Sequence, residues 1–140
     1  MDNKIILRVE NIHKSYGKEK ILKGVSFEIK KGETKVIIGP SGSGKSTLLR
    51  CINQLTIPDQ GKIFLEKEEV THHKKEINQF RQKMGMVFQD FNLFDHLTAL
   101  KNIEIGLIKV KKMNKKEAKK KAIEELKQVG LEKQADLFPA

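Results

Sequence analysis

The sequence predicts an α/β fold, in which segments with the pattern of strands precede segments with the pattern of helices. In residues 21–30 (ILKGVSFEIK), apolar and polar residues alternate with the period of a half-buried strand. Residues 114–131 (NKKEAKKKAIEELKQVGL) instead repeat apolar residues at the spacing of one helix face. Between them, residues 39–47 (GPSGSGKST) form a glycine-rich link from an apolar run to a helical one. With 140 residues, the chain fits one domain of ordinary size.

The first half of the chain is predicted to be mostly β. Residues 5–10 (IILRVE) form the first strand, and Gly17 marks the turn to the next one. Residues 34–39 (TKVIIG) are predicted as a strand buried on both faces, which is typical of a parallel sheet. Residues 45–55 are predicted to be a helix, which ends before Pro58 because proline lacks the N–H that a helix requires.

The α/β pattern continues after this helix. A strand and turn are predicted at 61–70, and a short polar helix at 72–83. Residues 84–89 (MGMVFQ) are apolar enough for a second buried strand.

After these strands the pattern becomes helical. Helices are predicted at 97–110 and 114–131, and Gly130 is predicted to cap the second one. We therefore predict two parts, a β-rich core of residues 1–95 and a helical part of residues 96–140. The apolar stripe of the second helix consists of Ala118, Ala122, Leu126 and Val129.

The composition indicates a soluble, globular protein and disfavours several classes. The formal net charge is +10, but lysines alternate with glutamates along the helical segments, so binding of nucleic acid is not predicted. The one cysteine, Cys51, excludes a framework of disulfides and is typical of a reducing compartment. No apolar run approaches the roughly 20 residues that span a bilayer, so a role at a membrane would depend on a partner.

The glycine-rich link matches the phosphate-binding pattern G-x-x-x-x-G-K-[ST], from Gly39 to Ser46. Glycines let the backbone N–H groups turn toward phosphate oxygens, and the helix that follows directs its N-terminal amides to the same anion. The amine of Lys45 would reach the β- and γ-phosphates, and the hydroxyl of Ser46 would bind Mg²⁺. The predicted ligand is a nucleoside triphosphate with Mg²⁺. The residues of this phosphate loop are Gly39, Pro40, Ser41, Gly42, Ser43, Gly44, Lys45, Ser46 and Thr47.

The phosphate loop by itself does not decide the activity. A GTPase would carry a guanine-reading Asn-Lys-x-Asp, whereas the nearest string, NKKE at 114–117, lies in a predicted helix and lacks the aspartate. A small-molecule kinase would usually carry arginines in a lid, whereas Arg81 is the only arginine after Arg50. Neither class is supported.

Three further stretches narrow the class: KSYG at 14–17, MVFQDFNLF at 86–94 and HLTALKNI at 96–103. Together with GPSGSGKSTLLRCIN at 39–53, they resemble the ATP-binding subunits of ABC transporters, in particular bacterial and archaeal importers of polar amino acids. The resemblance covers essentially the whole chain. It implies a P-loop NTPase with a RecA-like core and an antiparallel β-subdomain, followed by the start of the α-helical subdomain.

The resemblance also implies roles for residues outside the phosphate loop. Tyr16 matches the aromatic residue that stacks on adenine, although it could be a tyrosine at a strand edge without a ligand. Gln89 matches the glutamine that reaches Mg²⁺ and the attacking water, so Gln89 and Lys45 are the catalytic candidates and Ser46 and Gln89 the metal candidates. The alternative for Gln89 is a glutamine that caps the end of the sheet.

Residues 90–100 match the region that meets the membrane subunit in this family. Their apolar side chains would either contact that partner or pack between the two subdomains. These side chains are Phe91, Leu93, Phe94 and Leu97.

In the family, a Leu-Ser-Gly-Gly-Gln signature, a Walker B aspartate, a catalytic glutamate and a switch histidine would all come after residue 140. The chain is therefore expected to be an N-terminal portion with an incomplete sheet, which binds ATP weakly and hydrolyses almost none. Two alternatives remain open: a soluble ABC-type ATPase without a membrane partner, and an ATP-binding module that cannot hydrolyse ATP.

The resemblance implies several partners for the protein. They are membrane-spanning permease subunits, a second ATP-binding subunit and, indirectly, a substrate-binding protein. The expected location is the cytoplasmic face of the membrane, at its periphery. The sequence does not predict which substrate is transported.

Overall fold

The computed structural model describes residues 4–70 and 74–139, which belong to two compact units. The first unit is Met1–Met86 and the second is Val87–Ala140. Each unit has an apolar core of its own. The predicted division at residue 95 stays a prediction.

The first unit is an antiparallel sheet with two helices. Its elements are β1 (Ile5–Tyr16), β2 (Glu19–Lys30), α1 (Lys45–Ile52), β3 (Gln60–Leu65), β4 (Glu68–Glu69) and α2 (Lys74–Lys83). The strand order is β2-β1-β3-β4, and every neighbouring pair is antiparallel. The predicted strands at 5–10 and 21–30 are confirmed. Both extend further than predicted, because their pairing continues to the turn at Gly17, where Tyr16 pairs with Glu19.

The core of the first unit lies between this sheet and α1. Alternate residues of β1 point into it because successive side chains of a strand face opposite ways. The helix contributes Cys51, which is fully buried. The buried residues of this core are Leu7, Val9, Ile12, Leu22, Leu48, Cys51, Ile52 and Ile63.

The two predicted buried strands, 34–39 and 84–89, are not strands in this structure, so these predictions were wrong for this chain. Within the described residues neither segment pairs with a strand, and a strand forms only where a neighbour accepts and donates its backbone hydrogen bonds. Ile38 is 90% exposed, although its branched side chain favours a buried sheet. The expectation that the sheet is incomplete is confirmed.

Helix α2 confirms the short helix predicted at 72–83. The described part of this helix begins at Lys74, and His72 and His73 lie outside the described residues. Arg81 ties α2 to the end of α1, because its guanidinium donates to the carbonyl oxygens of Asn53 at 3.4 Å and Gln54 at 2.7 Å.

The second unit is a pair of helices, α3 (Ala99–Lys109) and α4 (Lys115–Gln128), followed by a short 3-10 helix, Glu132–Gln134. Both helices begin at polar residues whose side chains accept backbone hydrogen bonds. Thr98 accepts from the N–H of Lys101, and Asn114 from that of Glu117. Such N-terminal caps satisfy amides that have no partner within the helix.

The apolar stripe of α4 is confirmed at three of its four predicted positions. Ala118, Ala122 and Leu126 are buried, whereas Val129 is exposed. The difference arises because the helix ends at Gln128, and Gly130 takes the left-handed conformation (φ 73°) that turns the chain away. Gly130 is therefore the predicted cap.

Candidate functional site

The phosphate loop connects the exposed segment 34–39 to α1, which begins directly at Lys45. Gly44 precedes the helix with φ at 91°, a left-handed conformation that residues with a Cβ rarely adopt. The same glycine lies against β2, because a Cβ at this position would come within 2.8 Å of the Cγ2 atom of Ile21. Position 44 therefore needs glycine both for the turn and for the close approach to the hairpin.

The amine of Lys45 lies inside the loop. Its Nζ donates hydrogen bonds to the carbonyl oxygens of Gly39 at 2.8 Å and Pro40 at 2.7 Å. The side chain thus folds back from the start of α1 across the residues that precede it. This places a positive charge in the middle of the predicted phosphate cradle.

The rest of the loop fits a triphosphate with Mg²⁺. The first turn of α1 carries no acidic side chain, so its free N–H groups and its dipole face an anion without opposition. The Ser46 side chain is exposed at this helix end, where its hydroxyl could bind a cation. Within residues 4–70 and 74–139, no cluster of three histidine, cysteine or acidic residues could hold a metal ion.

Tyr16 lies in the same unit, at the end of β1 and within the β1–β2 hairpin that contacts the loop. The residue is 52% exposed, which suits an aromatic ring that stacks on a planar ligand. The amine of Lys14 lies 5.6 Å from the ring centroid. Lys14 pairs with Leu22, and Leu22 and Ile21 lie beside Gly44, so the hairpin that carries Tyr16 also contacts the phosphate loop.

An ionic contact that the sequence analysis missed holds the end of β1. Asp59 accepts a hydrogen bond from the amine of Lys14 at 2.7 Å and another from the backbone N–H of Ser15 at 2.6 Å. The bond from Lys14 lowers the pKa of the Asp59 carboxyl below its ordinary value of 3.8, and the bond from Ser15 lowers it further. The same pair raises the pKa of Lys14. In the sequence, Asp59 stands in the string TIPDQG, which is typical of an ordinary turn.

Gln89 belongs to the second unit, where its side chain is exposed. Its predicted roles toward Mg²⁺ and water stay predictions. The two residues after Asp90 are unusual, because Phe91 and Asn92 both take positive φ angles, 57° and 52°. Phe91 is exposed.

The segment that follows Gln89 is exposed, apolar and held by one amide side chain. Asn102 of α3 accepts from the N–H of Phe94 at 2.8 Å and donates to the carbonyl oxygens of Phe94, Leu97 and Thr98 at 3.0–3.1 Å. The sequence analysis did not single out Asn102. The exposed apolar side chains of this segment are Phe91, Leu93 and Phe94.

No helix in the described part of the chain is long and apolar enough to cross a membrane.

Comparisons with known proteins specify the class. The family model described as "ABC transporter" matches residues 22–139. The L-cystine import ATP-binding protein TcyC of Bacillus subtilis is 45% identical over 138 residues, a match that covers 96% of this chain and 56% of that protein. The glutamine transport ATP-binding protein GlnQ of the same organism is 44% identical over 135 residues, with the same coverage.

Solved structures agree with this class. The ATP-binding cassette MJ0796, in a dimeric post-hydrolysis state bound to ADP and Pi, superposes with a TM-score of 0.85 at 39% identity. The match covers 96% of this chain and 62% of that one. A nucleotide-free cassette from an ABC transporter superposes with a TM-score of 0.79 at 32% identity.

The fold and the phosphate loop are thus those of an ATP-binding cassette, a P-loop NTPase. The chain belongs to the ABC transporter family, a family of ATPases, and it spans about half the length of the curated relatives it matches.

Proposed function

We propose that this chain provides the ATP-binding part of an ABC importer ATPase for polar amino acids. The observation that carries the proposal is the position of Lys45, whose amine lies in a glycine loop at the N-terminus of a helix without acidic residues in its first turn. The names of the relatives, which include cystine and glutamine transport proteins, support the substrate class.

In this proposal the chain binds ATP together with Mg²⁺. The loop amides and Lys45 hold the phosphates, Ser46 supplies an oxygen to Mg²⁺, and Tyr16 stacks on the adenine ring. Gln89 would position Mg²⁺ and the attacking water. Hydrolysis would require groups beyond those described, because neither the loop nor Gln89 supplies a general base.

Binding to wild type and Lys45→Ala by isothermal titration calorimetry with MgATP tests the phosphate site. Loss of the lysine amine removes a charge-assisted contact, so we expect the affinity to fall about tenfold or more. Lys62→Ala is the matched control, because Lys62 is also a lysine of this unit but forms its ion pair with Glu69 on β4. Equal affinity in wild type and Lys45→Ala would refute the site.

The proposal also assigns a partner to the segment after Gln89. Phe91, Leu93 and Phe94 are exposed at 73%, 52% and 48%, which suits contact with a membrane-spanning subunit. In this role the protein would act at the cytoplasmic face of the membrane, with a second ATP-binding subunit beside it.

Capture of permease subunits by the tagged chain tests this surface. We expect Phe91→Ala combined with Phe94→Ala to reduce capture. The control is Leu137→Ala, which removes an apolar side chain of the same unit that is also exposed. Unchanged capture by the double variant would show that the segment does not make this contact.

A further inference from the structure

The acidic side chain of Asp59 binds the end of β1 immediately before Tyr16. The carboxylate of Asp59 binds Lys14 and Ser15, and its own backbone N–H donates to the carbonyl oxygen of His13 at 2.8 Å. Three consecutive residues of β1 are therefore fixed to a single residue of the loop between α1 and β3.

The contact with Asp59 falls at an irregularity of the sheet. The pairing of β1 with β2 shifts register between Lys14 and Ser15, and a register shift leaves backbone groups without ladder partners. Asp59 provides the acceptor for the N–H of Ser15 at this shift. Without that acceptor, β1 would keep its pairs Ser15–Lys20 and Tyr16–Glu19 but lose its tie to Asp59 one residue before Tyr16.

The same contact also orients the surroundings of the Tyr16 ring. The Lys14 amine, held at 2.7 Å from the Asp59 carboxylate, lies 5.6 Å from the ring centroid. A lysine that is fixed in this way occupies one side of the ring and leaves the rest to a ligand.

Asp59 further connects the ring to the phosphate loop through the helix. The segment that carries it leaves the C-terminal end of α1, where the N–H groups of Leu55 and Thr56 donate to the carbonyl oxygen of Arg50. The other end of α1 begins at Lys45. The second connection is the contact of Gly44 with Ile21 on β2.

From these contacts we propose that Asp59 is a positioning residue that holds the end of β1, and with it Tyr16, in place for stacking on an adenine nucleotide bound at the phosphate loop. This inference rests on the proposed function, because it needs both the phosphate site and stacking by Tyr16. Asp59 does not touch the nucleotide, and it acts through Lys14 and Ser15.

Two probes separate base recognition from phosphate recognition. MgATP has both groups, whereas inorganic tripolyphosphate with Mg²⁺ has the phosphates alone. We expect Tyr16→Ala to weaken ATP about tenfold, since stacking of a base on an aromatic ring contributes at about this level. For Asp59→Ala we expect a loss of about three- to tenfold for ATP and less than about twofold for tripolyphosphate.

A double-mutant cycle distinguishes positioning from general stabilisation. If Asp59 acts through Tyr16, Asp59→Ala will have no further effect on ATP affinity in the Tyr16→Ala background. Asp59→Asn is the milder variant, since an amide oxygen can still accept from Ser15 but carries no charge for Lys14. Circular dichroism establishes that each variant is folded.

The matched control is Glu69→Ala. Glu69 is a similarly exposed carboxylate, 43% against 42% for Asp59, which also pairs with a lysine in the same unit. It should leave the affinity for both probes unchanged.

The outcomes are distinguishable. Additive losses from Asp59→Ala and Tyr16→Ala, or equal losses for both probes, would overturn the positioning role while leaving the ATP site in place. If wild type binds tripolyphosphate and Tyr16→Ala leaves ATP affinity unchanged, base stacking fails and the positioning role fails with it. If wild type binds neither probe, the proposed phosphate site itself is refuted.

Discussion

For two isoleucines of the first unit we predict very different effects of substitution by alanine on the free energy of unfolding. Ile63 on β3 is 2% exposed and packs in the core beside Val9, whereas Ile38 before the phosphate loop is 90% exposed. Isoleucine to alanine removes three carbon atoms at either site. At about 0.8 kcal/mol for each buried methylene-sized group, transfer costs about 2.4 kcal/mol at Ile63, and the cavity raises the total to about 3–4 kcal/mol.

At Ile38 there is almost no burial to lose. We expect Ile38→Ala to change the free energy of unfolding by less than about 0.5 kcal/mol. The assay is urea unfolding of the full 140-residue chain, followed by far-ultraviolet circular dichroism, with the midpoint and slope compared between variants. Ile63→Val, expected to cost about 1 kcal/mol, gives a measurable value should Ile63→Ala unfold without urea.

Two outcomes would contradict this reasoning. If Ile38→Ala lowers the free energy of unfolding as much as Ile63→Ala does, segment 34–39 is buried in this chain and the exposed conformation is wrong. If neither substitution matters, the sheet core itself is not formed.

Three further predictions concern single contacts. Thr98→Ala removes the side-chain cap of α3, so it should lower the free energy of unfolding by about 1 kcal/mol in urea titrations. Thr98→Ser keeps the hydroxyl and should not lower it. Equal losses for the two variants would exclude capping. Cys51 is fully buried, and burial raises the pKa of its thiol. Its reaction with a disulfide reagent at pH 8 should therefore be about 100-fold slower in the folded chain than in the chain unfolded by urea. Equal rates would contradict its burial. The lowered pKa of Asp59 means that its contribution to stability is present above the ordinary carboxyl value of 3.8 and is lost as pH falls through the lowered pKa. The difference in stability between wild type and Asp59→Asn should therefore shrink below about pH 4 in acid titrations; a constant difference down to pH 2 would contradict the pairing with Lys14.

Local patterns predicted the elements whose partners lie near in sequence. The β1–β2 hairpin closes over Gly17, and α1 follows directly from the phosphate loop, so pairing and loop geometry need no distant segment. The apolar run at 34–39 failed for the opposite reason. Its apolar composition favours burial. A strand also requires a neighbouring strand to pair with, and composition does not indicate whether one is present.

The candidate site likewise has a part that local sequence predicts and a part that only the fold reveals. The phosphate loop was predicted residue by residue, because glycine, lysine and hydroxyl spacing carries its chemistry directly. Asp59 was missed because a turn aspartate usually bonds to its own backbone, and its actual partners, Lys14 and Ser15, stand 45 and 44 residues away in the chain. Only the fold brings these groups together.

The contacts of Lys45 determine how strongly the phosphates alone can bind. Its amine already donates to two carbonyl oxygens of the loop, so a phosphate that binds it replaces hydrogen bonds instead of adding them. The exchange offsets only part of the gain, because a hydrogen bond between the ammonium and a charged phosphate is stronger than one to a neutral carbonyl oxygen. Tyr16 is about half exposed, and the Lys14 amine lies 5.6 Å from its ring centroid. If Tyr16 stacks on the base as proposed, stacking adds to the affinity without breaking a hydrogen bond of the loop, so the proposed anchoring of Tyr16 by Asp59 would contribute to ATP binding.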